Sequence, residues 1–101
     1  GQYEAALQRL APFLDRVRPE LVMFQAGMDP YEHDSVGGIP GVDEAFLRRR
    51  DAHVITEVSS RRSPLVVNLA GGYVRGVSER LHVNTIRVMA SPSLSTLADT
   101  V

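Results

Sequence analysis

Two short stretches, Leu21-Val22-Met23-Phe24 and Leu65-Val66-Val67-Asn68-Leu69, are apolar with almost none of the polar alternation of a strand that has one wet face. Such runs predict parallel strands covered on both sides, placed at Leu21 to Ala26 and from Leu65 to Leu69. Elsewhere the apolar positions recur at helical spacing. Tyr3, Ala6, Leu7, Leu10, Leu14 and Val17 form one stripe over Gln2 to Val17, and Pro12 is expected to kink that helix or restart it, because proline lacks the N–H the ladder needs. Arg18-Pro19 ends it, since the residue before a proline is pushed out of the α region. Phe46, Leu47, Val54, Ile55 and Val58 form the face of a second helix, which starts at an Asp43 N-cap and ends near Ser59-Ser60. Asp51 falls inside that stripe, so a buried pair with a nearby arginine or backbone group is expected. A last helix from about Gly76 to Ala90 turns Val77, Leu81, Ile86 and Met89 inward, and residues 91–101, rich in Ser and Thr, are expected to form a peripheral or mobile tail.

The order β, α, β, α makes the two strands parallel and brings their C-terminal ends to one edge. That is the edge at which open α/β sheets bind ligands. The first loop leaving it, Gln25 to Gly38, carries Asp29, and the second is Ala70-Gly71-Gly72-Tyr73, so Asp29 and Tyr73 are expected to share a rim. Two consecutive glycines there let the backbone approach a neighbour closely. Asp29-Pro30 reads equally as the start of a turn.

Composition narrows the chemistry. The 101 residues hold one small core, and 44% hydrophobic with 23% charged residues is ordinary for a globular domain. No apolar run approaches the roughly 18 to 20 residues of a membrane span, and the first residues resemble no secretory signal, so a cytoplasmic setting with no membrane partner is expected. The absence of cysteine excludes disulfides and thiolate metal sites, leaving Asp, Glu, His or backbone oxygen as ligands. A net charge of −1 gives no global footprint for nucleic acid, and Arg48-Arg49-Arg50 and Arg61-Arg62 read as solvated helix faces. The Gly-Gly loop lacks the GxxxxGK[ST] and GxGxxG patterns of phosphate binding. No serine sits in a GxSxG elbow. His53 and His82 lie on helices and read as packed or surface groups, whereas His33 sits in the site loop. A carboxylate and a phenol on one sheet rim suit metal-assisted hydrolysis, with a metal held partly by Asp29 and the Tyr73 hydroxyl donating to a developing oxyanion.

Read together, Gln25-Ala26-Gly27-Met28-Asp29, Asp34-Ser35-Val36-Gly37-Gly38, Arg49-Arg50-Asp51 and Leu69-Ala70-Gly71-Gly72-Tyr73 resemble the C-terminal part of zinc-dependent histone deacetylase family proteins, with bacterial and class IV-like members nearest. Leu81-His82-Val83-Asn84-Thr85-Ile86 extends the likeness into the last helix, so that it covers about Leu10 to Met89. The resemblance implies an arginase-like three-layer α/β/α sandwich, of which this chain is an incomplete βαβα segment (residues 1–90). It implies Zn2+ ligated by Asp29, an intermediate stabilised by Tyr73, and a pocket wall shaped by Gly71 and Gly72. The implied substrate is acetyl-lysine or a small acetylated amine. The family's other zinc ligands, an Asp-x-His motif, and its His-His general base lie upstream of the matching segment, and neither motif occurs here. His33 also stands where relatives often carry glycine. The expectation is therefore part of a deacetylase, inactive by itself and partnered by the rest of the deacetylase domain. The alternative from another class is a non-catalytic, flavodoxin-like binding module in which Asp29 caps a turn and Tyr73 is packed.

Overall fold

A computed structural model describes residues 1–90, so the expected tail at 91–101 lies outside the described residues. The elements run α1 (Gln2–Gln8), α2 (Leu10–Val17), β1 (Val22–Gln25), α3 (Glu44–Ser60), β2 (Leu65–Asn68) and α4 (Ser78–Ala90). The fold is α/β, with β1 and β2 paired in parallel from Val22 against Leu65 to Gln25 against Asn68. Backbone bonds from Val22 N–H to Pro64 C=O (2.9 Å) and from Ala26 N–H to Asn68 C=O (2.8 Å) carry the ladder one step beyond each end. Both strands therefore deliver their C-terminal loops to the same edge.

One face of this sheet is covered. Val22, Phe24 and Leu65 pack against Leu14 of α2 and against Val54 and Val58 of α3. The opposite face is not covered among the described residues: Met23 is 70% exposed and Val66 is also open, with exposed Leu21 beside them. The expectation of two covered faces is corrected to one; the open face carries Met23 and Val66 beside the paired polar side chains of Gln25 and Asn68.

The N-terminal helix restarts as expected, but the break falls ahead of the proline. The chain breaks at Arg9, three residues before Pro12, so that Pro12 falls in the first turn of α2. In that position the missing N–H has no partner within α2 to lose. Arg18 closes α2 in the left-handed region (φ 49°), its N–H donating to Leu14 C=O at 2.8 Å.

The N-cap of α3 forms as expected, with Phe46 N–H donating to Asp43 Oδ1 at 2.8 Å. Its inner face and α4 build the remaining core: Met28, Val42, Leu47 and Leu81 form one cluster, and Ala52, Ile55 and Val88 another. In α4 the buried row is Leu81, Asn84, Thr85 and Val88, whereas Ile86 (52% exposed) and Met89 face outward. Position 86 lies about 140° around the helix from 81, so one face cannot bury both. Polar pairing decides which row wins: Asn84 Nδ2 donates to Glu44 Oε2 at 2.6 Å, and the Thr85 hydroxyl to Asp51 Oδ2 at 2.5 Å. The arginine runs are not uniformly solvated either. Arg50 is buried, and Arg61 joins α2 to α3 through Asp15 and Glu57, each at 2.7 Å. Among the described residues no helix is long and apolar enough to cross a membrane.

Candidate functional site

The two loops at the C-terminal edge are held together by their backbones. Met28 N–H donates to Gly71 C=O at 2.7 Å, and a Cβ placed on Gly27 would lie 3.3 Å from Ala70 Cβ, so the loops touch where Gly27 has no side chain. Beyond this contact the first loop folds back over Asp29. Tyr31 N–H donates to Met28 C=O at 3.0 Å and Gly38 N–H to Asp29 C=O at 2.8 Å. The turn at Asp29-Pro30 thus exists, but it is made by backbone groups and leaves the side chain free. Asp29 Oδ1 is buried without a hydrogen-bond partner. A carboxylate oxygen in that state is costly unless a cation or donor completes it. Gly71 lies directly against this carboxylate, and a Cβ there would overlap it.

Asp34 ties the loops together a second time. Its Oδ2 accepts from the N–H groups of Val36 (3.1 Å) and Gly37 (2.8 Å), while Oδ1 accepts from Tyr73 N–H at 2.7 Å. The side chain is buried at 7% exposure, and the Gly37 N–H, together with those of Tyr73 and Val36, holds its carboxyl below the usual carboxylate value despite burial. Tyr73 is therefore fixed through its backbone, while its phenol projects 56% exposed at the rim.

From below, α3 supports the same loop. Arg50 Nη1 donates to Gly27 C=O at 2.8 Å and approaches the Tyr3 hydroxyl at 3.3 Å, and its guanidinium lies 5.5 Å from the Phe24 ring centroid. The charge is matched by its chain neighbour Asp51, whose Oδ1 accepts from Nε and Nη2 at 3.0 and 2.9 Å. Burial raises the Asp51 carboxyl, against the opposing pull of Arg50 and the Thr85 hydroxyl. The buried pair expected for Asp51 is thus present, and its arginine also grips the backbone two residues before Asp29.

His33 and His53 have neighbours other than Asp29. His33 is exposed, 3.4 Å from Glu32 and stacked edge-on with Tyr31, and His53 Nε2 meets Leu7 C=O at 3.0 Å between α3 and α1. Among the described residues no group of three or more His, Cys, Asp or Glu could hold a metal. The unpartnered Asp29 oxygen fits a single metal ligand, and no more than that. Asp34 and Arg50 are the site-building residues that pattern reading did not assign. An Asp followed by Ser-Val-Gly is a turn signal that could have suggested Asp34, and the spacing of Arg50 from Leu47 and Val54 on α3 is the signal that singles it out from Arg48 and Arg49.

The Histone deacetylase domain matches this chain over residues 1–89. The chain is also similar to an uncharacterized protein of Picosynechococcus sp. (strain ATCC 27264 / PCC 7002 / PR-6), 23% identical over 86 residues, a stretch that covers 85% of this chain and 28% of that protein. No solved structure matches it. The domain match does not favour a flavodoxin-like binding module. With almost all of its described residues inside one domain match, the chain belongs to the histone deacetylase domain family.

Proposed function

We propose that this chain is the C-terminal part of a zinc-dependent deacetylase, nearest to bacterial and class IV-like members, which hydrolyses acetyl-lysine or a small acetylated amine. The observation that carries the reading is Asp29 Oδ1, a buried carboxylate oxygen without a partner at the ligand-binding edge of a parallel sheet. In this reading residues 1–90 belong to a three-layer α/β/α sandwich completed by sequence upstream, which also supplies the remaining ligands and the general base. The segment by itself is inactive, because catalytic zinc normally takes three protein ligands.

Within that frame the residues divide the work. Asp29 contributes one anionic ligand, and Gly71 leaves the carboxylate room to turn toward it. When bound, zinc supplies Lewis-acid polarisation of the amide carbonyl and a water of lowered pKa. The Tyr73 hydroxyl donates a hydrogen bond to the substrate oxygen as negative charge builds on it, and Gly71-Gly72 keep the wall beside it low. That bond strengthens toward the transition state, so its loss acts on turnover more than on binding. In the intact protein, Tyr73→Phe should lower kcat on an acetyl-lysine peptide by about 10²- to 10³-fold, with KM, zinc content and melting temperature near wild type. A variant that keeps most of its kcat would overturn the role given to Tyr73.

A further inference from the structure

We infer that Asp34 is the positioning residue for Tyr73, a carboxylate that carries the placement of the Asp29 loop across to the Gly-Gly-Tyr loop. The inference rests on the catalytic reading of Tyr73 proposed above and adds to it the group that sets where the phenol stands. Met28 N–H holds Gly71 C=O, but from there to Tyr73 the two glycines have no side chain to fix the path. Gly72 takes φ +150° and Gly71 carries no side chain. A short loop with two glycines needs an external anchor if the residue after it is to hold one position. Asp34 Oδ1 supplies that anchor by accepting the Tyr73 N–H at 2.7 Å across 39 positions of sequence. On the far side, Ser78 Oγ accepts from Val74 N–H at 3.0 Å, so the backbone is held on both sides of the Tyr73 Cα.

The other carboxylate oxygen shows why the residue is an aspartate. Oδ2 takes both the Val36 and Gly37 N–H groups, which close the turn that folds back over Asp29. Three backbone donors converge on two oxygens, and only an ionised carboxylate accepts on both. An asparagine in the same place offers a single oxygen and turns an NH2 group against a donor on its other side. The turn, with two donors, outbids Tyr73 for that oxygen, so the asparagine variant keeps the loop over Asp29 and releases the Tyr73 backbone. Asp34 thereby couples the loop that presents the ligand carboxylate to the loop that presents the phenol, beyond the backbone bond from Met28 N–H to Gly71 C=O that already joins them.

The test uses the intact, zinc-loaded protein and an acetyl-lysine peptide. Asp34→Asn should lower kcat by at least 10-fold, leave KM and zinc content within about 2-fold of wild type, and raise the hydrogen-exchange rate of the Tyr73 amide. Combined with Tyr73→Phe, it should add nothing beyond the loss caused by Tyr73→Phe alone, because a positioning residue has nothing to position once the hydroxyl is gone. If Asp34→Asn fails to fold, Asp34→Ser serves the same purpose, since a serine hydroxyl still closes the local turn but is too short to reach Tyr73. Unchanged kcat or an unchanged Tyr73 amide would overturn the inference while leaving the role of Tyr73 intact, as would losses that multiply in the double variant. If Tyr73→Phe itself is fully active, the catalytic reading fails first.

Discussion

The sharpest consequences at the residue scale come from a missing atom. Gly71 lies so close to the Asp29 carboxylate that a methyl group would overlap it, although no unusual backbone angle at Gly71 demands glycine. Gly71→Ala is therefore expected to displace the carboxylate rather than strain the loop. In the intact protein it should reduce zinc occupancy about as far as Asp29→Ala does, with little change in melting temperature; a Gly71→Ala protein that loads zinc normally would show that Asp29 has room to spare and that the close approach is incidental. That Asp29 and Tyr73 stand on the two loops leaving the C-terminal ends of the strands was legible in the sequence, because each follows the end of an apolar run. What Asp34 and Arg50 do was not, since it lies in which backbone atoms they reach from a distance: Tyr73 N–H for one, Gly27 C=O for the other. A run of letters shows the donor or acceptor but not its long-range partner.

Elements were read well where local chemistry fixes them and poorly where a neighbour does. The Asp43 cap, the end of α3 and the pairing of Asp51 followed from short-range rules and stand as expected. The inward face of α4 did not, because two apolar rows compete there and the choice falls to Glu44 and Asp51 on α3, which pair with Asn84 and Thr85. Asp51 is thus a fulcrum between elements. It neutralises Arg50 under the site and docks α4 through Thr85. Asp51→Ala should destabilise the intact protein by about 3–5 kcal/mol, the usual result of leaving one partner of a buried pair uncompensated. Arg50→Met together with Asp51→Ala should recover most of that loss, since a matched apolar replacement removes the orphaned charge. The double variant still leaves Gly27 C=O without its donor, so thermal melts should show recovery while zinc occupancy stays low. Recovery of both would mean that Arg50 serves packing alone.

At the scale of the whole molecule, the open face of the sheet is the feature that local rules leave unexplained. Leu21, Met23 and Val66 form an exposed apolar strip, Met23 and Val66 being neighbours in the strand register, on a sheet whose other face packs against α2 and α3. Parallel strands are ordinarily covered on both sides, and apolar strips of this kind mark a surface that another body covers. This chain matches 28% of the length of its Picosynechococcus relative, and the proposed three-layer sandwich would put its second helical layer on this strip. The same substitution should then act in opposite directions in two settings. In the 101-residue chain alone, the strip is expected to drive self-association and dye binding; Met23→Lys with Val66→Lys should shift sedimentation toward monomer without lowering the melting temperature, because both side chains are already exposed. In the intact protein the same pair of lysines would be forced into a covered layer and should lower stability by several kcal/mol, as unpaired buried charges do. A chain that sediments as a monomer without binding dye, or an intact protein indifferent to the two lysines, would show that nothing covers this face and that the sandwich proposed here is not the one the protein builds.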